Sequence, residues 1–218
     1  GPENTGDGSN REIAAPFRAP TYEISSAGPI RIEDCRWQGN IIVSAPSIVL
    51  EGSNEINHVL FIGRSIEIRP GFSGAIQAFA TDTLIVGEDV RLSYPSSHVV
   101  SISVHRSFLI LGSSSVTEGS VLHDGALLGA TGRVEGETKI DSGAVVYGML
   151  HSAYPLDLRG AVHGFTYTQQ FRTRTAGSVY AHHLLDARLA REDLASTFAQ
   201  GILQPNVRTY RLIEPLQE

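Results

Sequence analysis

The chain has 218 residues, 22 glycines, 18% charged residues and a formal net charge of −6, which suits one turn-rich domain with a continuous core. The negative charge gives no electrostatic footprint for nucleic acid, and the 17 basic residues, all arginine except Lys139, are scattered rather than clustered. No apolar run is long enough to span a bilayer, and the one cysteine, Cys35, excludes an intramolecular disulfide framework and reads as a buried, inert thiol.

Residues 1–29 form the first unit, a flexible leader or linker. Its opening Gly1-Pro2 reads as the scar of a protease cut, so a signal peptide or membrane anchor could have preceded it. Residues 1–20 are polar and rich in Pro and Gly, whereas Tyr22, Ile24, Ile30, Ile32 and Trp37 predict an irregular first coil whose aromatics cover the open end of a core.

Residues 30–164 form the second unit, and a period of six governs it. Ile110, Val116, Leu122, Leu128, Val134, Ile140 and Val146 are each aliphatic, and the same phase runs back to Leu50. Of the seventeen positions from 50 to 146, only Gly74 and His98 are not apolar, where chance would supply about seven apolar residues. A companion phase two residues earlier holds Ile48, Leu60, Ile66, Phe72, Leu84, Val90, Ile102 and Phe108. Two inward positions separated by one outward residue define a short strand. Ser47-Ile-Val-Leu50, Ser65-Ile-Glu-Ile68 and Thr83-Leu-Ile-Val86 recur every 18 residues, so three such strands make one coil. The expected fold is all-β: a single-stranded parallel β-helix, or β-solenoid, of about seven three-sided coils. A six-residue period leaves the hand of the coil open.

After Gly164 the phase fails, and residues 165–218 form a third unit that caps the coil or interacts. Phe165 to Phe171 alternates like a final strand, and Leu184 to Phe198 predicts a short helix with Leu189, Leu194 and Phe198 on one side.

An 18-residue coil stacks residue n on residue n+18. Outward apolar columns are then Val43, Phe61 and Phe79 on one side, and Leu109, Leu127 and Val145 on another. The two terminal units could cover them, or they could be protein-contact surfaces. A third column, His105, His123 and Asp141, contains first-row metal ligands, but stacked in a straight line rather than converging, so it reads first as exposed polar side chains. No cofactor is expected. His98 sits in the inward phase beside Pro95 and reads as a satisfied histidine at a bulged turn.

Several families share the period. The run Val116-Thr-Glu-Gly-Ser-Val through Ile140-Asp-Ser-Gly-Ala-Val resembles the hexapeptide-repeat acyltransferases, which implies a trimer with a general-base histidine, His123 here. No long loop interrupts the coil near His123, and the paired histidines that γ-class carbonic anhydrases require are missing. Gly132-Arg-Val-Glu-Gly136, Gly143-Ala-Val-Val-Tyr-Gly148 and Gly160-Ala-Val-His-Gly164 resemble the rungs of bactofilins, bacterial scaffold proteins. That resemblance implies a right-handed coil, self-association and a structural role at the cell envelope, with a cytoplasmic location as the alternative. The expectation is therefore a non-enzymatic scaffold or assembly protein acting through coil ends and outer apolar columns on protein partners. The alternatives are the acyltransferase-like enzyme and a surface adhesin that stacks sugars on Phe61, Phe79, Tyr147 and Tyr167.

Overall fold

A computed structural model describes residues 11–101, 106–124 and 135–191. Sixteen strands and no helix occur among the described residues. In chain order they are β1 (Glu12–Ala15), β2 (Tyr22–Ser25), β3 (Ile30–Ile32), β4 (Arg36–Leu50), β5 (Glu55–Ile68), β6 (Ser73–Val86), β7 (Arg91–Ser101) and β8 (Arg106–Leu111). There follow β9 (Val116–Asp124), β10 (Glu135–Ile140), β11 (Val145–Ser152), β12 (Leu156–Leu158), β13 (Ala161–Thr168), β14 (Arg172–Arg174), β15 (Val179–Ala181) and β16 (Arg188–Ala190). Fourteen of them form one sheet, and every pairing in it is parallel; β14 and β15 make a separate antiparallel hairpin.

The parallel pairs fall into three ladders that the chain visits in rotation, the pairing pattern of a β-solenoid. In the first ladder, Ile30, Ile48, Ile66, Leu84, Leu109, Thr138 and Leu156 are successive partners. In the second, Trp37, Ile56, Gly74, Leu92, Thr117, Val146 and Val162 are. In the third, Ile24, Val43, Phe61, Ala78, His98, Val121 and Leu150 are. Nearly all of these side chains point inward and are buried, so each stacks on its partner at the inter-strand spacing of about 4.8 Å and builds a core with no gaps along its axis.

The 18-residue spacing holds where the sequence repeats it: Ser47 pairs with Ser65 and Ser65 with Thr83. It then breaks. Thr83 pairs with Phe108, 25 residues on, and Phe108 with Glu137, 29 residues on. The strict six-residue phase also breaks inside a coil. In β5, Ile56 is buried, but so are Val59 and Phe61, while Ile62 is 42% exposed. His58 explains the slip. Its left-handed backbone, φ 61, turns the chain in a single residue, and a one-residue corner reverses which alternate side chains face inward. Three residues of the six-period phase further on, Ile110, Val116 and Leu122, lie half-buried, while Leu109, Thr117 and Val121 take the inward places.

The boundaries expected for the three units shift as well. Ile13 of β1 pairs with Trp37 and Ile24 of β2 with Val43, so the described part of 1–29 is the first layer of the sheet rather than a free leader. At the other end β13 continues to Thr168, and β16 adds parallel to it, with Leu189 opposite Val162. The helix expected from Leu184 onward is replaced by this strand at 188–190, because an open ladder edge offers backbone partners that a short, mixed segment lacks on its own. Residues 192–198 of that expected helix lie outside the described residues.

Two corner devices hold the coils in register. The Asn54 side chain is buried between coils, donating from Nδ2 to the carbonyls of Ile32 (2.7 Å) and Glu51 (2.8 Å) and accepting from the Cys35 amide at 3.0 Å. The second device is glycine. Gly119, Gly148 and Gly164 are successive register partners at one corner, and Gly119 and Gly164 have φ of 142° and 149°. A Cβ at Gly119 would overlap the carbonyl oxygen of Ser96 in the preceding coil, and one at Gly164 that of Gly148. We expect Gly119→Ala to destabilise the fold by at least about 3 kcal/mol, measured by chemical denaturation, since both backbone strain and overlap must be relieved.

Candidate functional site

Burial decides most of the candidate residues. Val43, Phe61 and Leu109 are fully buried in the core and cannot form contact columns; the one-residue corner at His58 carries Phe61 inward, Val43 stacks on it as its register partner after the irregularity at Gln38–Ile41, and the lengthened coil carries Leu109 inward. Phe79 remains outward, 40% exposed, and Val145 is half-buried. Leu127 lies outside the described residues. The aromatic quartet proposed for sugar stacking does not assemble, because Phe61 is interior and Tyr147 stacks on His163 with centroids 4.9 Å apart.

The metal column does not assemble either. His105 lies outside the described residues, Asp141 is paired to Lys139 at 2.7 Å, and His123 is wholly buried with both ring nitrogens engaged. Among the described residues no group of three potential ligands converges.

His123 instead anchors a chain of buried hydroxyls. Ser107 Oγ lies 2.7 Å from Nε2, Thr138 Oγ1 lies 2.7 Å from Nδ1, and Ser152 Oγ lies 2.6 Å from Thr138 Oγ1. Ser152 also donates to the Tyr154 carbonyl at 2.8 Å, which fixes the direction of the bonds from Ser152 through Thr138 to Nδ1. With its proton spent there, Ser152 accepts from Thr138; Thr138 must then accept from Nδ1–H, and Nε2 accepts from Ser107. Burial disfavours a second proton, so the imidazole is neutral, in its Nδ1–H form, with Nε2 as the acceptor. The Tyr154 ring lies against it, centroids 4.4 Å apart. Burial, with a smaller contribution from His151, depresses the His123 pKa to about 3. A base in this position meets no solvent and no open cleft, so the geometry gives it a packing role.

His98 stands one coil earlier between Ala78 and Val121. It is wholly buried, and among the described residues neither of its ring nitrogens has a hydrogen-bond partner, so the satisfied histidine expected there is not what the fold contains. Burial pushes its pKa down to about 4. Cys35 is half-buried, its thiol faces the Glu33 carbonyl at 3.2 Å, and burial raises its pKa, which keeps the sulfur protonated and unreactive.

Two shallow clefts lie near the first coil. One, of about 350 Å³, is lined by Arg11, Glu12, Asp34, Cys35, Arg36, Ser53 and Glu55; Arg36 and Glu55 close on each other at 2.8 Å across it. The other, of about 220 Å³, lies beside the Phe17–His58 ring pair.

The outer face of the third ladder is different in character. Ser44, Ile62, Phe79, Val99 and Leu122 are successive register partners pointing outward, and His151 and Tyr167 continue the line. Tyr167, 42% exposed, ends it. From Ile42 onward the described outward positions of these strands carry charge only at the margin, at Arg64, which pairs with Asp82, and at Asp124. The outward positions of the other two ladders carry Arg36, Glu55, Arg91 and Glu118, and Arg31, Glu67, Glu137 and Lys139. Sequence reasoning found Phe79 but missed its neighbours, since Ile62 and Leu122 had been placed inward by the unbroken phase. It also missed Ser107, Thr138 and Ser152: their partnership with His123 depends on coils of unequal length, and only the hydroxyl character of Thr138 in the companion phase hinted at it.

The fold and these surfaces define a parallel, solenoid-type all-β protein with an outer face whose centre carries no charge and with buried histidines. Comparison with family models, with curated proteins and with solved structures gives no match. Among the described residues no helix is long and apolar enough to cross a membrane.

Proposed function

We propose that this chain is a structural module, a non-enzymatic scaffold of the bacterial cell envelope built on a right-handed coil of about seven three-sided turns, that works by self-association and protein contact. The observation that carries the proposal is the state of the first layer. Among the described residues, strands β1, β2 and β3 each pair on one side only, with β4, so three parallel edges lie side by side at one end of the sheet. Such edges extend by backbone hydrogen bonding to another strand, whatever its side chains. Two further observations support a structural role: His123, the residue an acyltransferase reading would need, is sealed in the core, and Gly148 and Gly164 of the bactofilin-like rungs stack at one corner.

Light scattering over a rising concentration series, with negative-stain imaging of the same samples, tests the proposal. Assemblies that grow with concentration are expected. A particle that stays monomeric throughout would overturn it.

A further inference from the structure

We infer that the outward face of the third ladder is where two copies of this chain meet, side by side about a two-fold axis. The inference rests on the scaffold reading and names the partner and the surface. Its first ground is composition. Ile62, Phe79, Val99 and Leu122 form one straight apolar line, with Ile62 and Phe79 among the most exposed large apolar side chains of the solenoid body. Polar groups border it: the Arg64–Asp82 ion pair (3.6 Å) and Asp124 lie along the same edge. An apolar centre with a polar rim is the anatomy of a protein interface.

The second ground is charge. In a two-fold interface each patch meets itself, so any charge in the centre would meet its like. This face has none in its centre, whereas the outward positions of the other two faces carry arginines, glutamates and a lysine. A partner selected by charge complementarity would need something to read, and the face offers nothing of that kind. A second copy needs only the same stripe.

The third ground is size. Seven strands spaced at about 4.8 Å, with about five residues each at about 3.3 Å, give a face of about 500 Å² per copy, or about 1,000 Å² in the pair, the lower bound for specific association. A face of that size suits reversible pairing rather than an obligate dimer. The strand carrying Val99 is the middle one of the seven, so the two-fold sets Val99 against its own copy.

Sedimentation equilibrium on the full chain and on Phe79→Arg is the test, with circular dichroism to show that the variant folds and Phe79→Ser as a second, milder change. At concentrations below those at which end-on assemblies form, the wild type is expected to follow a monomer–dimer equilibrium, weakened at least about tenfold in Phe79→Arg. In a Cys35→Ser background, Val99→Cys chains are expected to be joined in pairs by a short thiol cross-linker. Identical sedimentation of wild type and Phe79→Arg would overturn the inference. So would a dimer whose Val99→Cys chains resist cross-linking, or a monomer that binds phosphatidylcholine vesicles through Phe79. Open-ended assemblies that persist unchanged in Phe79→Arg would remove the lateral contact and leave the scaffold role standing; the absence of every assembly would remove both.

Discussion

Lowering the pH from about 7 to about 5 is expected to remove about 4 kcal/mol of folding stability, most of it through two buried histidines. His98 titrates near 4 and His123 near 3 in the folded chain, against 6.5 for an ordinary histidine. Below pH 6.5 the unfolded chain binds protons that the folded chain refuses, so stability is full above that value and falls as the pH drops toward the folded values. At pH 5 each histidine accounts for about 2 kcal/mol of the loss. The groups around His123 do not relieve it. His151 adds repulsion, and both ring nitrogens already serve hydroxyls, so a second proton on Nε2 would break the bond from Ser107. Around His98 the register partners are Ala78 and Val121, and among the described residues neither ring nitrogen meets an acceptor. Replacing it tests the assignment cleanly. His98→Leu, close in volume and without polar atoms, should halve the loss between pH 7 and 5 and raise stability at pH 7 by about 1–3 kcal/mol, the cost of burying an unmet polar group. Urea denaturation at the two pH values measures both effects; a pH slope equal in wild type and variant would contradict the burial of His98.

The second large effect concerns two phenylalanines that the repeat places in equivalent positions. Phe61→Ala is expected to cost about 3–5 kcal/mol and Phe79→Ala less than about 1 kcal/mol. Phe61 is wholly buried between Val43 and Ala78, and its loss leaves a cavity the rigid ladders on either side cannot collapse to fill. Phe79 faces solvent. Denaturation of both variants at low protein concentration, where surface pairing contributes nothing, decides the matter. Equal losses would mean that the corner at His58 does not turn as described.

That pair also shows where the sequence was readable. Ser47–Leu50, Ser65–Ile68 and Thr83–Val86 are true register partners, because two inward aliphatics flanked by a hydroxyl residue suit only one strand position and the coil between them keeps one length. The parallel all-β architecture followed from them. The phase of the side chains did not, since a single left-handed residue such as His58 leaves no mark on a hydrophobic pattern. Beyond Val86 the coils first lengthen and then shorten again, and an 18-residue column no longer joins register partners: His123 pairs with Ser152, 29 residues on, and not with Asp141. The hydroxyl chain around His123 was illegible for the same reason. The outer apolar face was half visible, through Phe79, and complete only once Ile62 and Leu122 had turned outward.

The scaffold role stands or falls on the edges of the first layer, and backbone hydrogen exchange reads them directly. Amide exchange is to be followed in β1 (Glu12–Ala15), β2 (Tyr22–Ser25) and β3 (Ile30–Ile32) at dilute and at high protein concentration. Strand addition at that end predicts that amides of these strands slow strongly as concentration rises, while those of the interior strands β5 and β6 stay as they were. Exchange in the first layer that is independent of concentration, in samples that light scattering shows to be assembled, would contradict the end-on account.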